Sequence, residues 1–246
     1  MRNYKARGIV LHTIKYGDSG LVAQLLTDVG GRQSYMVQGV RSSRGHGNRA
    51  ALLQPMFLVE FEGMESPRAE MHRFREIRAA VPLGSIPFDV RKSTVALFMA
   101  EMLYRLVREV EANSPLFDFV WDSVCRLDFF EDRAGVANFH LWFMVGLSRH
   151  LGFFPAGEWS AGHWFDIREG IFTPIEPRGE CFSRENAALL GSLMDAAVAA
   201  DCDVLATLQL NRVQRSEFMN SMLAYFGYHL DAVRDIRSVD ILREVF

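Results

Sequence analysis

The apolar residues of this 246-residue chain change period from two to about 3.6 across Pro82 and Pro87. That switch divides the sequence into a stretch that reads as strands and a longer one that reads as helices. From Ala6 to Ala79, short β-rich runs alternate with glycine-bearing turns, the pattern of a small antiparallel sheet that closes on itself. Five strands are predicted, at about Lys5 to Ile14, Leu21 to Thr27, Gln33 to Val40, Gln54 to Glu62 and Arg68 to Ile77. Tyr16-Gly17-Asp18-Ser19-Gly20 and Val29-Gly30-Gly31-Arg32 supply the first turns. Pro55 belongs at the start or edge of the fourth strand, because it has no N–H to donate. Five short strands in this span fit a partly open barrel of the OB type.

Beyond Pro87, Val95, Phe98, Met99, Met102, Leu106 and Val110 share one face of a helix expected over Val90 to Ala112. Ser114 as N-cap and Pro115 as first helical residue should open a second helix, Leu116 to Phe130. A third, Val136 to Leu151, stacks Phe139, Trp142, Phe143 and Leu147 and should end at Gly152. The stretch from Phe153 to Phe182 is broken by prolines and glycines and reads as irregular, with a short hairpin around Trp164-Phe165-Asp166. Helices resume after Ser183 to about Ala199, from about Asn211 to Phe226, and from about Val239 to Val245. The expected fold class is therefore α+β: a five-stranded OB-fold barrel over residues 1–80, then a mainly α-helical domain over 81–246 with an irregular segment at about 153–182.

Charge is segregated along the same division. Lys5, Arg7, Lys15, Arg32, Arg41, Arg44, Arg49 and Arg2 face only Asp18 and Asp28 within the first 54 residues, although the whole chain carries a formal charge of −3. Such a basic end suits a polyanionic partner. Arg41-Ser42-Ser43-Arg44-Gly45-His46-Gly47-Asn48-Arg49 has no apolar anchor and reads as a mobile, solvated loop whose long donors can follow a phosphate chain. Tyr4, Tyr16 and Tyr35 offer aromatic faces on which bases could stack. A solvated surface loop is the plainer alternative for the same residues.

Other chemistry finds no support. Gly30-Gly31 and Gly45-x-Gly47 lack the Gly-Lys-Ser/Thr ending and strand-to-helix context of a P-loop. His140, His150, His163, Asp166 and Cys181 do not have zinc-finger spacing, and no elbow singles out a nucleophile. The carboxylate pairs Glu109/Glu111 and Glu131/Asp132 read as solvated helix faces. Cys125, Cys181 and Cys202 are odd in number and widely spaced, which argues against a disulfide framework. Neither a secretory leader nor a run of roughly 18 apolar residues occurs, so a soluble, cytoplasmic protein without enzymatic turnover, cofactor or metal is expected. The aromatic helix around Phe139, Trp142 and Phe143 could form either a core or a groove for an apolar peptide.

Gly8-Ile9-Val10-Leu11, Tyr16-Gly17-Asp18-Ser19, Gly39-Val40-Arg41, Leu53-Gln54-Pro55 and His150-Leu151-Gly152-Phe153-Phe154-Pro155 occur in an order that resembles the bacterial RecO family of DNA repair proteins. The resemblance implies an OB-fold joined to a helical domain and a nucleoid-associated mediator of recombination. Such a mediator binds single- and double-stranded DNA, anneals complementary strands, contacts RecR, and engages the acidic tail of the single-strand-binding protein so that RecA can load. It implies no membrane and no small-molecule substrate. Lys5, Arg7, Lys15, Arg32, Tyr35, Arg41, Arg44 and Arg49 are then the expected DNA-binding residues. The chain departs from the family twice. Many members carry four zinc-ligand cysteines after the Leu-Gly-Phe corner, whereas Pro155 to Phe182 holds Cys181 alone, so zinc is not expected. The helix before that corner, basic in some members, here reads Ala137-Asn138-Phe139-His140-Leu141-Trp142, which leaves Arg105, Arg108, Arg126, Arg133 and Trp142 as candidates for protein docking. The alternative function is a protein-only adaptor whose basic end grips acidic peptide tails.

Overall fold

The computed structural model describes residues 2–17, 20–37, 50–65, 71–231, 233 and 236–246. Five strands, β1 (Arg2–Tyr16), β2 (Gly20–Thr27), β3 (Arg32–Val37), β4 (Leu58–Glu65) and β5 (His72–Ala79), close into a barrel in the order β1-β2-β3-β5-β4. A partly open barrel was expected; closure comes from the parallel pairing of Tyr35 with His72 and Met36 with Arg73. The length of β1 makes the topology possible. Its first half, Arg2 to Ile9, pairs with β4, and its second, Gly8 to Tyr16, pairs with β2. A bulge between Val10 and His12 bends the strand between these duties. Gly8 sits where they overlap, and a Cβ there would lie 2.7 Å from Leu25 Cδ2, so a side chain at the bend would displace Leu25 in the core.

Inside the barrel, Ala6, Val10, Ala23, Leu25, Tyr35, Val37, Leu53, Val59, Phe61 and Phe74 form one apolar cluster. The fourth strand begins at Leu58 instead of Gln54. Phe57 N–H bonds to the Gln54 carbonyl, and Met56 takes a φ of 62° while donating its N–H to the Val10 carbonyl, so a tight turn replaces the first rungs of the ladder.

The helices are α1 (Val90–Leu106), α2 (Ser114–Phe129), α3 (Arg133–His150), α4 (Arg184–Val198), α5 (Val204–Thr207), α6 (Arg212–His229) and α7 (Ser238–Val245). A small sheet of order β7-β6-β8 lies between α3 and α4 in the chain, with β6 at Trp164–Asp166, β7 at Ile171–Thr173 and β8 at Cys181–Phe182. Asn113, not Ser114, caps α2: its side-chain oxygen accepts from Leu116 N–H at 3.1 Å. Among the described residues no helix is long and apolar enough to cross a membrane.

The chain forms two compact units. One contains Met1–Phe88 and Met99–Asp128, the other Asp89–Phe98 and Phe129–Phe246. In the first, the Asp128 carboxylate accepts the N–H groups of Gly84, Ser85 and Ile86 at 2.8 to 2.9 Å, pinning the chain that leaves the barrel. The second is built around α3, which is buried from Gly135 to Ser148 on every side. A helix apolar all round must be central. Asn138 within it donates to the Leu205 and Leu208 carbonyls, so its amide nitrogen is satisfied at depth.

Candidate nucleic-acid interface

The cations predicted to gather on the barrel part company once their strands are paired. Lys5 and Arg7 project from the half of β1 that pairs with β4, in rows with Glu62 and Glu76 and with Glu60 and Arg78. Arg75 bonds Glu62 at 3.0 Å and Arg78 bonds Glu60 at 2.6 Å. This flank encloses a concavity of about 640 Å³ in which Asp28, Glu60, Glu62 and Glu76 outnumber Lys5, Arg7 and Arg78. Its balance of charge does not favour phosphate.

Arg7 is committed within its own unit. Its Nε lies 3.1 Å from Asp28 Oδ2, a second nitrogen lies 3.8 Å from Asp118, and the guanidinium stands 5.1 and 5.2 Å from the rings of Phe117 and Trp121. These contacts brace α2 against β1. Arg32 braces α1 in the same way. Its Nη1 donates to the Tyr104 carbonyl at 2.6 Å, its guanidinium lies over the Tyr104 ring, and its backbone N–H reaches the Glu109 carbonyl. Carbonyls in the last turn of a helix lack intrahelical partners and carry partial negative charge, so a cation is well placed there.

Tyr35 cannot receive a base, and the expectation that it would is corrected. It is fully buried, stacks on Phe74 at 4.6 Å, and donates its hydroxyl to Gln33 Oε1 at 2.7 Å, with the Tyr4 hydroxyl 2.9 Å away. Burial is the main reason its phenol pKa is raised, and the Tyr4 hydroxyl adds to it. The alternation of β3 assigns Tyr35 to the interior, a parity that becomes visible only with the register.

A different surface remains open. Ile14, Val22, Met36 and Arg73 occupy one row across β1, β2, β3 and β5 on the outer face, exposed at its two ends while Val22 is buried. Lower on this face, Tyr104 covers His12 at 4.7 Å and Arg32, but Ile14 and Tyr16 are 45% and 53% exposed. Arg73 is exposed and, like Lys5 and Lys15, makes no ion pair among the described residues. Lys15 aligns with Leu21 and Val37 on the opposite, core-facing side of the strands, and is exposed because it stands at the rim of the barrel, where β1 and β3 end. Arg41, Arg44 and Arg49 lie outside the described residues. Arg73 was not singled out from sequence. Its strand reads only as amphipathic and charged, and nothing local announces that it pairs with β3.

Of the residues expected to dock proteins, Arg105 is paired with Glu101 at 3.0 Å, while Arg108 and Arg126 are exposed in the first unit and Arg133 in the second. Trp142 is a correction: it is 2% exposed and packs against Phe139 in the core of the second unit. The aromatic helix is core, not groove. The half-buried Cys181 thiol is pushed up by burial, with Glu176 and Asp166 adding to it; edge contacts of Phe165 with Phe172 and Phe182 join the strands of the small sheet, and one with Tyr225 ties them to α6. Among the described residues no three His, Cys, Asp or Glu side chains are grouped to hold a metal.

Comparison with known proteins finds two family matches. Residues 1–82 match the model described as Recombination protein O N terminal, and residues 87–238 match Recombination protein O C terminal. Curated proteins named DNA repair protein RecO are similar along nearly their whole length. Those of Bacteroides fragilis and Phocaeicola vulgatus are 34% and 33% identical to the chain, and that of Flavobacterium johnsoniae is 31% identical, each over 98% of both sequences.

Proposed function

The chain belongs to the Recombination protein O family of DNA repair proteins, and from that premise we propose that it is a non-enzymatic mediator that binds single- and double-stranded DNA through its barrel and anneals complementary strands. The observation that carries this reading is a pair of exposed cations without ion pairs among the described residues, Arg73 at the end of the outer row and Lys15 at the rim of the barrel. Cations without carboxylate partners neutralise phosphates and release counterions, which gives affinity with no sequence preference. Annealing follows from the same physics. Two strands whose backbones are neutralised repel less, and base pairing supplied by the DNA decides which strands join.

RecR and the acidic tail of the single-strand-binding protein are the proposed protein partners, with RecA loading as the outcome. The resemblance of the whole chain to RecO proteins supports them, and Arg108 and Arg133 are exposed cations available to an acidic tail.

A titration of labelled single strand with the full chain tests the reading. Binding at moderate salt is expected, together with faster annealing of complementary oligonucleotides. In the Arg41→Ala, Arg44→Ala, Arg49→Ala triple variant the log-log salt slope should fall by about 0.7 for each lost contact. Peptide-tail binding without DNA binding would mark the protein-only adaptor instead and reject the proposal.

A further inference from the structure

We propose that Tyr16 is a stacking platform for an unpaired base, and that it gives the barrel's phosphate-binding edge a preference for single strands. The inference rests on the DNA-binding reading above and adds to it a ligand chemistry that phosphate contacts cannot supply.

Three tyrosines in the barrel could in principle meet a base, and the structure separates them. Tyr35 is buried and Tyr4 is tied to it through their hydroxyls, with its ring edge-on to Phe61 and His72. Tyr16 is 53% exposed and has no ring partner among the described residues. Its cross-strand neighbour is Gly20, which has no side chain to cover the ring. A Cβ on Gly20 would come within 2.6 Å of the Tyr16 carbonyl, so the uncovered position follows from how tightly the hairpin closes. Strand alternation puts Tyr16 on the same outer face as Ile14, which begins the row that ends at Arg73. Lys15, exposed and without an ion pair among the described residues, precedes it on the opposite face of the strand, at the same rim. An aromatic ring at the rim that also carries Lys15, on the face whose row ends in Arg73, favours single strands, since every unpaired base presents a π-face and a duplex hides its own.

The test uses the full chain and three probes at one salt concentration: a labelled oligo-dT, the same oligonucleotide with abasic residues, and a duplex of equal length. Tyr16→Ala should weaken oligo-dT binding about tenfold, within the range of one base–aromatic stack. Tyr16→Phe, which keeps the ring, should bind as the parent does. Duplex affinity and the salt slope should stay unchanged in both variants. The parent should lose a similar factor on abasic DNA, a comparison that involves no variant. Equal losses on single strand and duplex, or an undiminished Tyr16→Ala affinity for oligo-dT, would overturn the stacking role while leaving phosphate binding in place. Failure of the parent to bind any probe would overturn the DNA-binding reading and this inference with it.

Discussion

A cation's role in this barrel is decided by what faces it across the strands. Arg7 and Arg32 carry the same charge as Lys15 and Arg73, yet each is spent on a helix: Arg7 between two aromatic rings and two carboxylates of α2 and the β2–β3 turn, Arg32 on the last turn of α1. Arg32→Ala should therefore cost about 1–2 kcal/mol of stability through the lost charged hydrogen bond and helix-end interaction. Arg7→Ala should cost about 1 kcal/mol, because its ion pairs are largely exposed and weak, and the contacts with Phe117 and Trp121 provide most of the loss. Urea denaturation checks both. The excess of positive charge in the leading segment was legible in the sequence, but its division into braces and free donors was not. That division depends on Asp118, Tyr104 and Phe117, residues far along the chain that nothing near Arg7 or Arg32 announces.

At the scale of elements, period and turn chemistry located all five strands and most helices, because these signals are local. Ser183 caps α4 as expected, and Asn211, expected as the first residue of its helix, caps α6 in a reciprocal capping box with Gln214. The errors arose where a distant partner or a tie between neighbours decided the outcome. Residues 54–57 alternate like a strand but turn, because Val10 takes the Met56 N–H. Asn113 and Ser114 are both good caps, and the structure uses Asn113. Asn113→Ala should accordingly destabilise the chain by about 1 kcal/mol, and Ser114→Ala by a few tenths at most. Paired thermal melts distinguish the two, and equal losses would mean that the cap had been misassigned.

For the whole molecule, a buried histidine in one unit and an amide-bonded carboxylate in the other predict acid lability in both. His140 is fully buried, and burial, followed by the charge of Arg215, pushes its pKa down to about 3. The unfolded chain binds that proton more readily, so the stability tied to neutral His140 is complete above about pH 6.5 and drains away as pH falls toward 3. Burial alone would raise the Asp128 carboxyl, but the Ile86, Gly84 and Ser85 amides outweigh it and hold its pKa below the ordinary value. Its contribution is present above about pH 4 and is lost on further acidification. His140→Gln should flatten the stability profile between pH 6.5 and 4, and Asp128→Asn the part below pH 4, as followed by denaturation at fixed ionic strength.

The central claim for the molecule is that DNA is held by the unpaired cations Lys15, at the rim of the barrel, and Arg73, on its outer face, and not by its basic residues at large. The most direct measurement is the salt dependence of single-strand binding in two double variants of the full chain. Lys15→Ala with Arg73→Ala should lower the log-log slope by about 0.7 for each lost contact, whereas Arg7→Ala with Arg32→Ala should leave the parent slope intact. A slope that falls in the second pair and holds in the first would contradict the assignment.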